Sequence, residues 1–285
     1  AGGDEETLML LGHTDVVAVE PEHWTHPPFS GALIDGYVWG RGALDMKNMV
    51  AANLMVFLLL KREGVSLDRD IVFAATADEE AGKGNHGPGW ILDHRPELWD
   101  APLIITEGGG SDFSVGDQRF YTCQTGQKGL CRLRVIARGT PGHGSMPHGN
   151  NAILKLSKAL AGLEGAVLPA HICGSVQKFV EGIAEQRPEA EAATWRQVLD
   201  EAHCDEALAA LPIDEEWRRE LGAVLRNTAS VTMLQSGSKI NVIPGEAAAW
   251  VDGRLAPGQT EESFVAELRA FIGEEVEIAI DQYTP

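Results

Sequence analysis

Asp70 to Glu80 reads DIVFAATADEE, an apolar, β-branched run that stops at Thr76 and is followed at once by Asp78, Glu79 and Glu80. A short apolar run without alternation suits a strand buried on both faces, as in a parallel sheet. Thr7–Leu11 and Pro102–Thr106 (PLIIT) have the same character, and between the three lie Met46–Leu60 and Gly89–His94, which suit helices. Strands separated by helices predict an α/β fold with a mostly parallel sheet and helices on its faces. The polar stretch Val19–Gly40 is a long connection, with a hairpin predicted around Asp35-Gly36.

Each predicted strand runs into chemistry. His13-Thr14-Asp15 follows the first, Asp78-Glu79-Glu80 the second and Glu107 the third, while Asp45 sits in GRGALDMK just before the apolar helix. The carboxyl ends of strands in an open α/β sheet form the crevice where ligands bind. Carboxylates gathered there repel one another and call for a cation. One imidazole among carboxylates suits Zn²⁺, with Mn²⁺ or Co²⁺ as alternatives. Asp15, two residues beyond His13, can accept the second ring N–H of a ligating imidazole. Singly, each feature has a plainer reading: a structural histidine, solvated glutamates, a Gly-Arg-Gly turn. Their shared position at one sheet edge favours a site.

The pattern changes near Gln127. Gly129–Ala137 (GLCRLRVIA) alternates with the two-residue period of a half-exposed strand, and Asn151–Leu163 has helical spacing. Ser230–Leu234, Ala247–Val251 and Val276–Ile280 are further strands, and Thr260–Ile272 opens with a helix start signal. The order β-α-β-β-α-β predicts a ferredoxin-like α+β domain over residues 127–285, interrupted by a helical insertion over 165–225. Residues 1–126 are then the first domain. Glu181–Leu221 holds 12 acids against 4 arginines, which reads as a solvated helical surface.

The 285 residues, with 42 acidic and 23 basic side chains and a net charge of −19, exclude neither one large domain nor two ordinary ones. Such a surface repels phosphate backbones and anionic lipid, so neither nucleic acid nor membrane is an expected partner. The longest apolar run, Met49–Leu60, is too short to span a bilayer and suits a buried helix. Cys123, Cys131, Cys173 and Cys204 lack CxxC spacing, so free thiols in a reducing, cytoplasmic compartment are expected.

The motifs GHTDVV, WGRGALDMK, ATADEEAG, ITEGGG, GTPGHGSMPHGNNA and KINVIPGEAAAWVDGRLAPG span Gly12 to Gly258. Together they resemble the co-catalytic zinc aminoacylase and carboxypeptidase family. That family includes acetylornithine deacetylase, succinyl-diaminopimelate desuccinylase, aminoacylase and glutamate carboxypeptidase. The resemblance implies a zinc peptidase-type catalytic domain and a ferredoxin-like lid that forms a homodimer. It implies that Asp45 bridges two Zn²⁺ ions, that His13 and Glu107 complete one site, and that Glu80 ligates the other. Glu79 would be the general base and Asp15 would orient His13. His143 would reach the other subunit's site to steady the oxyanion, and Asn241 and Arg254 would hold the substrate. The implied reaction is hydrolysis of the amide bond of an N-acyl amino acid or short peptide with a free carboxylate.

The resemblance also implies a last histidine ligand from a segment beyond the lid. None of the histidines here, His171 and His203 included, stands in that context. The expectation is a piece of a larger enzyme, cut at both ends, with one metal site short of a ligand. The alternative is a truncated or degenerate, non-catalytic module for metal binding and dimerisation.

Overall fold

The computed structural model describes residues 5–80, 86–108 and 110–284. The chain divides into two compact units, Ala1–Gly108 and Gly109–Pro285. The division lies ahead of the change of sequence character at Gln127, because a hairpin of residues 112–121 packs with the later helices.

In the first unit, β1 (Glu5–His13) leads into a short hairpin, β2 (Ala32–Ile34) and β3 (Tyr37–Trp39), turned by Asp35 and Gly36. After it come α1 (Asn48–Arg62), β4 (Arg69–Thr76), α2 (Pro88–His94) and β5 (Leu103–Ile105). The order β4-β1-β5 is parallel throughout, with His13 opposite Thr76. Sequence and structure agree on these elements to within a few residues.

Two glycines make the turn into α1 possible. A Cβ on Gly12 would lie 2.7 Å from Val50 Cγ2, so only glycine lets the start of α1 sit against β1 there. Gly42 has φ 82°, which favours glycine, and opens the wide turn Ala43–Lys47 that carries Asp45.

The expected burial of α1 is not what the structure holds. The helix packs on β1 and β4, with Phe57 and Phe73 rings 6.2 Å apart, yet none of its residues is buried. Met55, Val56 and Leu59 remain 45–50% exposed. A helix apolar on all sides covers the sheet with one face only, and its other faces meet nothing among the described residues. An 18-residue window within Ala43–Arg62 has a mean hydropathy of 1.5, long and apolar enough by composition for a membrane span, a test that core helices also pass.

The second unit opens with the hairpin β6 (Asp112–Val115) and β7 (Gln118–Tyr121). Next come β8 (Gly129–Arg138), the short β9 (Gly142–His143) and α3 (Ala152–Ala161). The insertion supplies α4 (Gly174–Ala184), α5 (Glu189–Gln197), α6 (Cys204–Ala210) and α7 (Glu215–Val224). Then follow β10 (Thr228–Ser236), β11 (Val242–Ile243), β12 (Glu246–Leu255), α8 (Glu261–Ile272) and β13 (Glu277–Thr284). The antiparallel order β10-β12-β8-β13 is that of the ferredoxin-like unit read from the sequence. Asn151 caps α3 by accepting from Ile153 and Leu154 N–H, and Thr260 forms a capping box with Ser263.

Two cores lie in this unit. One joins the inward residues of β8 and β12, Leu133, Val135, Ala249 and Val251, to Leu156, Phe264 and Leu268 of α3 and α8. The other gathers Trp195, Val180, Leu208 and Leu225 of the insertion with Val115 of the first hairpin.

Candidate metal centre and lid residues

The parallel strands of the first unit deliver side chains from their carboxyl ends to one place. His13 ends β1 and is 2% exposed. Its Nε2 lies 3.1 Å from Asp45 Oδ1, 3.5 Å from Glu107 Oε2 and 3.9 Å from Glu79 Oε2. Ligand atoms of His13, Asp45 and Glu80 lie within 4.8 Å of one another, as do those of His13, Glu79 and Glu107. All five residues therefore share one cluster. Asp45 and Glu107 are the carboxylates nearest to His13 Nε2, Glu79 lies farther off at 3.9 Å, and Glu80 joins the cluster through the group of His13 and Asp45.

Loop ends are tied by backbone hydrogen bonds. Thr14 N–H and hydroxyl both donate to Thr76 O, at 2.8 and 2.9 Å, locking the ends of β1 and β4 together. Lys47 Nζ donates to Thr14 O. His13 Nδ1 sits 3.1 Å from the backbone oxygen of Asp15 and 3.5 Å from its carboxylate. That carboxylate is occupied elsewhere: its Oδ1 accepts from Glu79 N at 3.2 Å and its Oδ2 from Glu80 N at 3.1 Å. Asp15 thus clamps the backbone of the glutamate pair, a contact that motif spacing cannot reveal.

The electrostatics follow from this crowding. Burial raises the Glu79 carboxyl above its ordinary range, the His13 ring opposes the rise, and Glu80, Asp15 and Asp45 add to it. Glu107 is raised in the same way, by burial and then by Asp45 and Glu79. Burial penalises charge on His13, but the Asp15 carbonyl, Glu107, Asp45 and Glu79 outweigh it and the ring is raised. Asp15 is lowered, because the two backbone donors outweigh its burial. One imidazole among mutually raised carboxylates is a donor set that fits a divalent cation, whose charge would reverse both upward carboxyl shifts.

In the second unit, β9 pairs with β11, with Val242 opposite His143, and Gly144 N–H donates to Asn241 O at 2.9 Å. His143 and Asn241 are therefore neighbours. Arg254 is not with them. Its guanidinium bonds Asp252 Oδ2 at 3.0 Å, near the far end of β12, where it pairs with Leu130 and Thr228. The His143 loop joins the opposite end, where Gly139 N–H donates to Gly245 O at 2.9 Å. At about 3.3 Å per strand residue, the length of β12 separates the two by roughly 25 Å.

Sequence reading passed over Lys128. Its ammonium donates to Ala223 O and Arg226 O, both at 2.8 Å, and to Thr228 Oγ1 at 3.2 Å, joining β8 to the end of the insertion. Burial, with the charge of Arg254, pulls it down to about 8. All four cysteines are free.

Residues 9–281 match the model of peptidase family M20/M25/M40. An N-fatty-acyl-amino acid synthase/hydrolase of Xenopus tropicalis is 30% identical over 98% of this chain and 55% of its own length. A succinyl-diaminopimelate desuccinylase of Paracoccus denitrificans is 37% identical over 57% of this chain and 42% of its own. An M20 family metallo-carboxypeptidase of Sulfolobus solfataricus shares the fold, with a TM-score of 0.56 at 22% identity over 98% of this chain and 65% of that one. The chain spans about half the length of the curated relatives it matches.

Proposed function

The chain belongs to peptidase family M20/M25/M40, and from that premise we propose that it is part of a metal-dependent hydrolase of N-acyl amino acids or short peptides with a free carboxylate. The observation that carries this reading is the cluster of His13, Asp45, Glu79, Glu80 and Glu107 at the ends of parallel strands. The names of the relatives, an N-fatty-acyl-amino acid hydrolase and a desuccinylase of an amino acid, favour an N-acyl amino acid.

In this reading Asp45 is shared by two cation sites, one completed by His13 and Glu107 and the other drawing on Glu80. Divalent cations there, Zn²⁺ by preference, supply Lewis acidity for the amide carbonyl and acidify water. Glu79 takes the proton of the attacking water and returns it to the leaving nitrogen. Its raised carboxyl is supporting evidence, since a general base works best near the operating pH. Asp15 acts on both glutamates through their backbone N–H groups. His143 donates a hydrogen bond to the oxyanion, Asn241 holds the substrate beside it, and Arg254 pairs with the free carboxylate.

A homodimer belongs to the same proposal. Amide and carboxylate of an N-acyl amino acid are only a few bonds apart, so one copy cannot touch both with His143 and Arg254 across the length of β12. Two copies can, one supplying each. β10 is an edge strand with Val231, Met233 and Leu234 exposed, which suits sheet continuation between copies.

The test is a metal titration joined to a substrate screen. Zn²⁺ should bind with one tight and one weaker equivalent. The metal-loaded protein should release amino acid from N-acyl amino acids. Absence of Zn²⁺ binding by the wild-type chain would overturn the reading.

A further inference from the structure

Ser145 addresses His143 twice. Its hydroxyl oxygen lies 2.8 Å from His143 Nδ1, and its backbone nitrogen lies 3.2 Å from the same atom. A backbone N–H can only donate, so Nδ1 must present its lone pair, and the neutral ring carries its single proton on Nε2. The rest of the turn fixes where that proton points. His143 is paired to Val242, Gly144 N–H is bonded to Asn241 O, and Met146 N–H donates to His143 O at 2.9 Å. The side chain is exposed, and its Nε2 has no hydrogen-bond partner among the described residues.

The loop repeats this arrangement with a different outcome. Asn150 N–H donates to His148 Nδ1 at 3.2 Å, again from two residues downstream. There Nε2 is buried without a partner, close to Gly142. Only at His143 does the arrangement turn a ring N–H outward.

We propose that Ser145 is a positioning residue for hydrolysis, holding His143 in the Nε2–H tautomer and in the orientation that offers that N–H to the oxyanion. The opposite tautomer would turn a lone pair toward developing negative charge and repel it. The proposal rests on the reading of His143 as the oxyanion donor, but its primary test does not use turnover.

Ring ¹⁵N spectra of the histidine-labelled full chain, recorded where imidazoles are neutral, report which nitrogen is protonated. The His143 signals are identified by their loss in His143→Gln. The wild type should show Nε2 protonated and Nδ1 as acceptor, without the averaged pattern of mixed tautomers. Ser145→Pro, which removes the backbone donor, should shift the pattern toward that average, whereas Ser145→Ala, which keeps the donor and loses only the hydroxyl, should keep Nε2 protonated. In turnover, Ser145→Ala should cost roughly 3- to 10-fold, the size of one lost hydrogen bond. A wild-type His143 with substantial Nδ1 protonation, or a folded Ser145→Pro protein whose spectrum is unchanged from wild type, overturns the proposal. Full activity in His143→Ala would instead overturn the oxyanion role and leave the tautomer result standing.

Discussion

Among the described residues, the first unit buries only five apolar side chains, Met9, Leu10, Pro28, Met46 and Ala101, while the second closes one core around Phe264 and another around Trp195. The acidic cluster lies entirely in the sparsely buried unit, at the ends of three strands whose sheet and helix still show apolar side chains to water. In the second unit the inner face of the sheet and the helices of the insertion each close a core, and candidate substrate contacts are hung on its loops and strand ends. A site made of like charges on a sheet with little core gains disproportionately from a bound cation. The second unit, with two cores, has no such dependence.

The largest effect that sharpens this contrast concerns the glutamate pair. Glu79→Gln should lower turnover by roughly 10²–10⁴ while metal stays bound, and Glu80→Gln should release metal. Turnover and metal content measured on the same samples decide it; a Glu79→Gln protein that lost metal but kept turnover per ion would exchange the two roles. His143→Ala should cost roughly 10²–10³ in turnover, the size of a lost oxyanion donor. Mixed dimers of Glu79→Gln and His143→Ala copies should regain activity, because one of their two sites has both groups intact. No recovery in verified mixed dimers would confine the chemistry to one copy.

Stability measurements test the contrast in packing. Phe264→Ala should cost about 3–5 kcal/mol, as a fully buried aromatic. Leu59→Ala, on the open side of α1, should cost under about 1 kcal/mol. Equal losses in urea unfolding would mean that α1 is covered in solution. Zn²⁺ at about 100 times its dissociation constant should add roughly 2.7 kcal/mol. Hydrogen exchange should show that protection concentrated in β1 and β4, and protection gained equally in β8 and β12 would break the comparison.

The smallest effect belongs to Lys128. Its folded value of about 8 lies below the ordinary 10.5, so between them the unfolded chain holds more protons than the native one. Stability should therefore rise with pH across that window, and Lys128→Met should flatten the rise. A slope unchanged in the variant would assign it to another group.

Much of this was readable in the residues. The apolar runs ending in His13, Glu79-Glu80 and Glu107 located both the parallel sheet and the side chains that cluster at its edge, because strand direction alone brings those ends together. The alternation in Gly129–Ala137 likewise announced the antiparallel sheet. The hairpin of β6 and β7 was passed over although Phe113, Val115 and Phe120 alternate about a Gly116-Asp117 turn. Its place in the second unit depends on Phe113 packing against Phe179 and Trp217, which no local pattern contains. The exposure of α1 was unreadable for a different reason: a run apolar on every side names no face. The Asp15 clamp runs through backbone N–H groups, which every residue carries.

The order of the two units along the chain has a consequence for biosynthesis. A ribosome releases β1, α1, β4 and β5 before the second unit, and these keep Met55, Leu59 and Ile104 open to water even when folded. The unit that closes its own cores emerges after them. Vectorial synthesis therefore leaves the less self-sufficient unit waiting while the second is made, and chaperones that hold apolar segments should associate with nascent chains through residues 48–105 in preference to the later unit.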